Sequence, residues 1–137
     1  NKAPKVFQAL RMIVNNEISE LILGLSKSCN LISENGVIVT VTFHSIEDRI
    51  CKFFFNEISN IKKVSRYLPI KSIEDTSFNL IKKKPITPTA REIEINLPSR
   101  SAKLRAVKRK GKNKVDTQFI FDKFKYLLEI ENLASKL

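Results

Sequence analysis

Residues 37–52 read VIVTVTFHSIEDRICK, and the rest of the chain is organised around the change of pattern within them. The first seven of these residues form an almost unbroken β-branched and apolar run, introduced by Asn35 and Gly36. Such a run is typical of a strand that is buried on both faces, as in parallel sheets. From Ile46 onwards apolar residues recur every three or four positions, which predicts a helix packed back on the sheet. We therefore expect a strand, a tight corner and a helix.

The only histidine of the chain, His44, stands at this corner. In open parallel sheets, ligands bind beyond the carboxyl ends of the strands, which makes His44 a candidate catalytic residue. Ser45 is the expected helix cap, and Asp48 three residues later completes a variant of the capping box. The alternative is that His44 only caps the helix or hydrogen-bonds within a loop. The sequence leaves both roles open.

The segment before the strand is helical in pattern. Apolar residues repeat through Pro4–Leu25 at helical spacing, which predicts one long amphipathic helix, bent or interrupted at Gly24 or Ser26. A shorter helical piece is expected at Lys27–Ser33. Helix, glycine turn, strand and helix form an α/β alternation, which predicts a largely parallel sheet with helices on its faces. A row of three polar side chains on the first helix is either a solvated face or a binding surface: Gln8, Arg11 and Asn15.

The segment after the corner helix has weaker but readable signals. The predicted elements are, in chain order, a loop at Asn60–Thr76, a strand at Ser77–Ile81, a short helix at Ala90–Ile95 capped by Thr89, a strand at Ser101–Val107, and a closing amphipathic helix at Asp116–Leu137 capped by Asp116. In the second of these strands, alternation puts the apolar residues on one face and the cations on the other.

The charge of the chain is strongly positive, at +11. Eight cations and no acid fall within Ser99–Lys114. Like charges at this density repel one another unless a polyanion relieves them, so we expect contact with RNA or DNA, the alternative being a solvated tail. The predicted RNA contacts are Arg100, Lys103, Arg105, Lys108, Arg109 and Lys110.

Several classes of protein are disfavoured by the composition. No apolar run approaches the roughly 20 residues of a membrane span, and no signal-peptide pattern is present, which favours a soluble intracellular protein. Cys29 and Cys51 are expected to be buried thiols, because nothing in their spacing supports a disulfide framework or a zinc site. With only three glycines, the chain has no phosphate-binding loop. A nucleotide-type cofactor would therefore be held mainly by residues outside this sequence.

Three stretches resemble one family, the small-subunit ribosomal RNA cytosine-N4 methyltransferases that use S-adenosylmethionine. Residues 7–17, FQALRMIVNNE, are similar to the family's F-Q-A-L-R-I-x-V-N-x-E, and residues 43–49, FHSIEDR, resemble its F-H-S-L-E-D-R. Residues 84–86 and 99–105, KPI and SRSAKLR, match K-P-I and S-R-S-A-K-L-R. The chain departs from the family before Phe7, where H-P-A-T-R-T is usual, and near Asn96, where one arginine is lost. The closing helix has no counterpart that we can match.

The resemblance implies that the chain is the C-terminal part of a longer enzyme. Its fold would be α/β, a partial Rossmann-like methyltransferase domain made of the late strands and helices of the sheet, with an added C-terminal helix. Residues 1–110 would be the methyltransferase portion, and residues 111–137 a basic linker and an amphipathic helix. The cofactor S-adenosylmethionine would be bound mainly by an N-terminal part that carries the glycine-rich loop. No metal is implied.

The intact enzyme would transfer a methyl group to the N4 amine of a cytidine in small-subunit ribosomal RNA, with the base presented unstacked. His44 would be a candidate general base, with Gln8, Arg11, Asn15, Ser45 and Arg49 lining the cleft. The partner would be ribosomal RNA or the small ribosomal subunit, and the location the cytoplasm, or an organelle if the source is eukaryotic. The competing hypotheses are a non-catalytic RNA-binding module and a degenerate gene fragment. The sequence leaves the target nucleotide and the oligomeric state open.

Overall fold

The computed structural model describes residues 3–59, 76–134 and 136, so most of the predicted loop at Asn60–Thr76 lies outside the described residues. The helices are α1 (Ala3–Val14), α2 (Glu17–Leu31), α3 (Ser45–Ile58), α4 (Ala90–Ile95), α5 (Gln118–Lys123) and α6 (Lys125–Ala134), with a 3₁₀ helix at Leu97–Ser101. The strands are β1 (Val37–Thr42), β2 (Phe78–Leu80) and β3 (Lys103–Arg109). No helix within the described ranges is long and apolar enough to cross a membrane.

The chain divides into two compact units. A helical unit comprises Asn1–Lys27 and Asp116–Leu137, and a sheet unit comprises Ser28–Val115. The predicted segments, residues 1–110 and 111–137, stay a prediction. The first residues of the chain fold with the last ones because α6 packs against α1.

The sheet unit has the strand order β1-β3-β2, and both pairings are antiparallel. The prediction of a largely parallel sheet is therefore wrong for the described strands. β1 and β2 do run in the same direction, as expected for strands joined by a helix, but β3 is inserted between them in the opposite direction. The order of elements along the chain gives no local signal for that insertion, since strand pairing is decided by contacts distant in sequence.

Helix α3 covers one face of the sheet. Its Ile50 and Phe54 are buried, as are Ile38 of β1 and Val107 of β3. The opposite face is open: Val37, Val39 and Val41 are 44%, 53% and 52% exposed. The prediction that the first strand is buried on both faces is therefore wrong within the described residues. Helix α3 packs only against the side of β1 that carries the threonines, and the valines on the other side are exposed.

Both cysteines are buried thiols, as predicted. Cys29 lies in the last turn of α2, and Cys51 lies on the side of α3 that is buried. Burial raises the pKa of Cys51 to about 11. Burial also raises the pKa of Cys29, against the opposing charge of Arg109. Neither thiol is therefore disposed to ionise near neutral pH.

The helical unit corrects two predictions. The long helix expected at Pro4–Leu25 is broken after Val14, where Asn16 adopts a left-handed backbone with φ of 51°. Asparagine tolerates this conformation better than most residues. The expected bend at Gly24 is absent, and α2 continues to Leu31.

The closing helix predicted at Asp116–Leu137 is two helices, α5 and α6, separated at Phe124. The residue that precedes α5 is Thr117, whereas Asp116 accepts a hydrogen bond from the Gln118 N–H at 3.0 Å.

Glu131 of α6 is 2% exposed and accepts from the Ile18 and Ser19 N–H groups, each at 2.9 Å, and from the Ser19 hydroxyl. A buried carboxylate thus caps the start of α2, where the helix dipole favours negative charge.

Candidate functional site: a strand-to-helix corner

The corner between β1 and α3 is closed by a reciprocal cap. His44, not the predicted Ser45, is the N-cap residue, and its Nδ1 accepts from the Glu47 N–H at 3.4 Å. Glu47 reaches back, and its Oε2 accepts from the Phe43 N–H at 3.1 Å. Histidine and glutamate three residues apart therefore form a capping box. The His44 side chain accepts from a backbone N–H inside the helix, and the Glu47 side chain accepts from a backbone N–H just before it.

The imidazole of His44 is held on both sides by Glu47. Its Nε2 lies 3.1 Å from Glu47 Oε1, and the side chain is 11% exposed. Since Nδ1 accepts a hydrogen bond, a neutral ring carries its proton on Nε2, facing the carboxylate. In this arrangement both ring nitrogens face Glu47, and the role of His44 as a general base stays a prediction. The hydrogen bonds of His44 show that this residue helps to fix the corner between β1 and α3.

Asp48 ties the corner to strand β3. Its Oδ1 accepts from Arg105 Nε at 2.8 Å, and its Oδ2 accepts from Lys103 Nζ at 3.1 Å. Burial opposes ionisation of Asp48, but the hydrogen bonds and charges of Arg105 and Lys103 outweigh it, so the pKa of the carboxyl is lowered. Two motifs that are more than 50 residues apart, FHSIEDR and SAKLR, therefore meet in one ion-pair network.

Arg109 at the end of β3 is 4% exposed and faces inward. Its guanidinium donates to the backbone carbonyls of Cys29, Gly111, Lys112 and Asn113. It also lies over the ring of Phe78, 5.5 Å from the centroid. A buried cation is tolerated when its donors are satisfied in this way.

The predicted RNA contacts on β3 are thus divided by the alternation of the strand. Arg109 and Arg105 point into the sheet unit, with exposures of 4% and 9%, so the fold does not favour them as RNA contacts and that assignment stays a prediction. Lys103 is 40% exposed at its side chain but is paired with Asp48. The sequence showed the alternation of β3 but not which face is covered, and α3 covers the face that carries these cations.

Other cations of the segment point outward. Arg100, Lys108 and Lys110 are exposed, together with Lys112 and Lys114. A polar cavity of about 230 Å³ lies beside Lys110 and is lined by Thr76, Ser77, Lys110, Gly111 and Asn113. We call Arg100, Lys108, Lys110, Lys112 and Lys114 the outward cations.

Two predicted cleft residues lie on an exposed row of α3. Ser45 is the first residue of the helix, and Arg49 follows one turn later on the same side. Both are exposed, and the row continues to Lys52. These side chains are accessible to a bound partner, in contrast with Asp48.

The predicted row of the helical unit is organised by a residue that the sequence reasoning missed. Arg11 donates to Glu17 through Nε at 2.8 Å and through a terminal nitrogen at 3.2 Å, and Asn15 Nδ2 donates to Glu17 at 3.3 Å. Glu17 thereby bridges the break between α1 and α2. The signal for it was present, because Glu17 belongs to the V-N-x-E part of the first motif. Gln8 lies half-buried on α1, and its expected place in one cleft with His44 stays a prediction.

The described residues do not form a glycine-rich cofactor cradle. Gly24 lies inside α2, and at Gly36 the space that a Cβ would need is filled by the side chain of Ile32 and the carbonyl of Ser33. The carbonyl of Gly111 accepts from Arg109. These residues therefore do not fit the family's cofactor-binding loop.

A small three-stranded sheet with a capped strand-to-helix corner and flanking helices is the architecture of part of a Rossmann-like methyltransferase domain. The sequence model of the MraW methylase family matches residues 1–110, and the chain belongs to that family.

Individual relatives agree with this assignment. The chain is 44% identical over 108 residues to ribosomal RNA small subunit methyltransferase H of Oceanobacillus iheyensis, an alignment that covers 78% of this chain and 33% of the relative. The protein of the same name from Persephonella marina is 42% identical over 107 residues, covering 78% and 32%. That from Allorhizobium ampelinum is 40% identical over 133 residues, covering 97% and 39%. The chain thus spans about a third of the length of these relatives.

Proposed function

We propose that this chain is the C-terminal part of a ribosomal RNA methyltransferase, and that the intact enzyme methylates the N4 amine of a cytidine in small-subunit ribosomal RNA. Family membership over residues 1–110 supports a methyltransferase. The observation that carries the proposal is the Asp48 network, because it joins two separate family motifs in one rigid corner. S-adenosylmethionine is proposed as the methyl donor, held mainly by residues outside this chain.

The contribution of this chain is positioning. The corner is fixed by Glu47 and Asp48, so the exposed side chains of Ser45 and Arg49 are presented from a rigid helix start. A rigid presentation favours reaction because the substrate does not have to be ordered at the moment of transfer. We propose that Ser45 and Arg49 contact the RNA near the target base, and that Gln8, Arg11 and Asn15 form a second contact from α1.

The role of His44 is separable by experiment. Asparagine is a good N-cap, so His44→Asn keeps the cap and removes the imidazole. If His44 is a general base, methylation in a full-length enzyme falls by a factor of about 100 or more with the fold intact. If His44 only positions the corner, His44→Asn retains most of the activity, whereas His44→Gln, a poorer cap, loses stability.

The outward cations are proposed to hold the phosphate backbone of the RNA. Lys110 lies at a polar cavity that Thr76 and Ser77 also line, which suits a phosphate group. Contacts of this type set affinity and its salt dependence rather than sequence choice. The proposed partner is ribosomal RNA or the small ribosomal subunit, and the proposed location is the cytoplasm, or an organelle in a eukaryote.

The test of the function is a titration with S-adenosylmethionine. The chain alone is expected not to bind it, whereas a chimera that joins this chain to the unmatched part of the Oceanobacillus iheyensis relative is expected to bind it and to methylate small-subunit RNA. A chimera that folds and binds RNA but neither binds S-adenosylmethionine nor methylates RNA would favour the second candidate function, a non-catalytic RNA-binding module. We retain this second candidate because the lysines of the basic segment are exposed and therefore accessible to RNA.

A further inference from the structure

The segment that follows β3 is folded around the guanidinium of Arg109. We call residues 110–114 the arginine loop. The carbonyls of three successive residues, Gly111, Lys112 and Asn113, accept hydrogen bonds from Arg109 at 2.7, 3.2 and 2.9 Å. Because Arg109 is only 4% exposed, the carbonyls of the arginine loop are directed at a buried cation.

The backbone N–H groups of the arginine loop point the other way. In a trans peptide the carbonyl of one residue and the N–H of the next lie on opposite sides of the chain, and no described peptide bond is cis. The N–H groups of Lys112, Asn113 and Lys114 are therefore directed away from Arg109. These three residues are exposed, and among the residues that the structure describes none accepts a hydrogen bond from their N–H groups. The loop thus presents three successive backbone donors.

The polar cavity of about 230 Å³ lies against this loop. Its lining combines Lys110, Gly111 and Asn113 of the loop with Thr76 and Ser77, which directly precede β2. The two segments are tied together, because the N–H groups of Lys110 and Gly111 both donate to the carbonyl of Ser77, at 2.8 and 3.3 Å. The cavity admits a phosphate group, since liquid water takes only about 30 Å³ per molecule.

The charge around the cavity is positive. Lys110 and Lys114 are exposed, and the sequence has no acid between Ser99 and Lys114. Lys112 lies 3.7 Å from Glu34, but the two side chains are 85% and 45% exposed, and an exposed pair of this kind is weak. Successive backbone N–H groups in a concave site, with lysine beside them, are suited to binding a phosphate group.

We infer that the arginine loop is a phosphate-binding site, in which the N–H groups of Lys112, Asn113 and Lys114 and the ammonium of Lys110 hold the oxygens of one backbone phosphate of RNA. Arg109 is the positioning residue, since it turns the carbonyls inward. The inference rests on the proposed function in one respect, namely that the bound polyanion is RNA. Residues 111–114 lie outside the range that the family model matches. A fixed phosphate sets the register of the RNA on the protein, which scattered surface lysines do not.

The first experiment observes the three N–H groups directly. Backbone amide NMR spectra of the isotope-labelled chain are recorded during titration with inorganic phosphate and, separately, with a short RNA oligonucleotide without a terminal phosphate. The amide signals of residues 112–114 are expected to shift and to saturate with both ligands. The internal control is residues 82–84, three exposed lysines whose amide signals are expected to stay nearly unchanged. Equal shifts in the two segments, or none at residues 112–114, would overturn the inference.

A matched pair of variants tests the contribution of Lys110. Lys110→Gln is expected to weaken the binding of inorganic phosphate about tenfold, because a charge-assisted hydrogen bond is lost. Lys83→Gln removes the same charge at the opposite end of β2 from Ser77, and it is expected to weaken binding less than about twofold, since salt screens a distant exposed charge. Equal effects of the two variants would contradict a defined site.

Arg109→Lys tests the positioning role. Lysine keeps the positive charge but lacks the planar fork of donors that gathers the three carbonyls. The folded variant is expected to lose the amide shifts of residues 112–114 although Lys110 is unchanged. A folded variant that binds phosphate as the wild type does would refute the positioning role. If Arg109→Lys does not fold, the wild-type titration and the Lys110→Gln comparison still decide whether the site exists.

The outcome is separable from the proposed function. Amide shifts of residues 112–114 with inorganic phosphate but not with the oligonucleotide would overturn the assignment to RNA and indicate a free phosphate as the ligand. If the chimera described above methylates RNA while the loop responds to neither ligand, the proposed function stands and the phosphate site is refuted. If the loop responds to RNA while the chimera does not methylate it, the site stands and the proposed function is refuted.

Discussion

The inward arginines and the outward lysines of the basic segment differ in role although they alternate along one short stretch. Arg105 and Arg109 are almost fully buried, one held by Asp48 and the other by backbone carbonyls. Lys108 and Lys110, their neighbours, are exposed. The difference shows that a run of like charges in a sequence is not one functional surface, because a strand sends alternate residues to opposite faces.

The largest effect is expected from Arg109→Gln. It leaves one buried and three part-buried backbone carbonyls short of donors and removes the contact with Phe78, so we expect the free energy of unfolding to fall by about 3 kcal/mol. Urea denaturation of the full chain measures it. Lys110→Gln is the control, since the same change at the next, exposed residue should cost no more than about 0.5 kcal/mol. Equal losses of unfolding free energy for the two variants would contradict the distinction between the buried arginine and the exposed lysine.

The helical unit offers the same contrast between a buried and an exposed charge. Glu131→Gln removes the carboxylate that caps α2 and is expected to cost about 2 kcal/mol, because buried donors lose a charged acceptor. Glu129→Gln on the exposed side of α6 is the control and should cost almost nothing. Chemical denaturation compares the pair. If Glu129→Gln proved as costly, the cap would not be the source of the loss.

The Asp48 network predicts a pH dependence. The pKa of Asp48 in the folded protein lies below its ordinary value of 3.8. The interactions of Asp48 with Arg105 and Lys103 therefore contribute stability that is present above that value and is lost as the pH falls through the lower folded pKa. Asp48→Asn should therefore cost about 2 kcal/mol at neutral pH, and its deficit relative to the wild type should narrow below about pH 4. Urea denaturation of the wild type and of Asp48→Asn at a series of pH values measures this deficit. A deficit that is constant down to pH 2.5 would contradict it.

The smallest effect on stability is expected from neutralising two outward cations. Lys108→Gln with Lys110→Gln should change the free energy of unfolding by less than about 0.5 kcal/mol, since neither side chain is buried. The same denaturation assay applies. A loss comparable with that of Arg109→Gln would mean that these lysines are structural as well.

Local signals in the sequence predicted local structure well. The helix at Ala90–Ile95 and its Thr89 cap were found to the residue, because a capping side chain and a following proline are near neighbours of the helix. The alternation of β3 was also correct, although the strand extends to Arg109. The corner itself was predicted, but histidine is an uncommon cap, so Ser45 was chosen although His44 and Glu47 have capping-box spacing.

Features that depend on contacts distant in sequence were missed. The insertion of β3 between β1 and β2 and the choice of which face α3 covers have no local signature. Arg109 reads as one more cation in a basic run, and only the fold brings the carbonyl of Cys29 to it. The break at Asn16 lies within a continuous apolar repeat, which periodicity alone reads as a single helix.

The most direct test of the division between inward and outward cations is the salt dependence of RNA binding. The logarithm of the affinity of the full chain for a small-subunit RNA fragment is measured against the logarithm of the salt concentration. Lys108→Gln with Lys110→Gln is predicted to make the slope shallower by about 1.4. The control removes the same charge from two exposed lysines of the helical unit, and Lys27→Gln with Lys125→Gln is expected to leave the slope unchanged. Equal slopes for the wild type and both double variants would contradict the account.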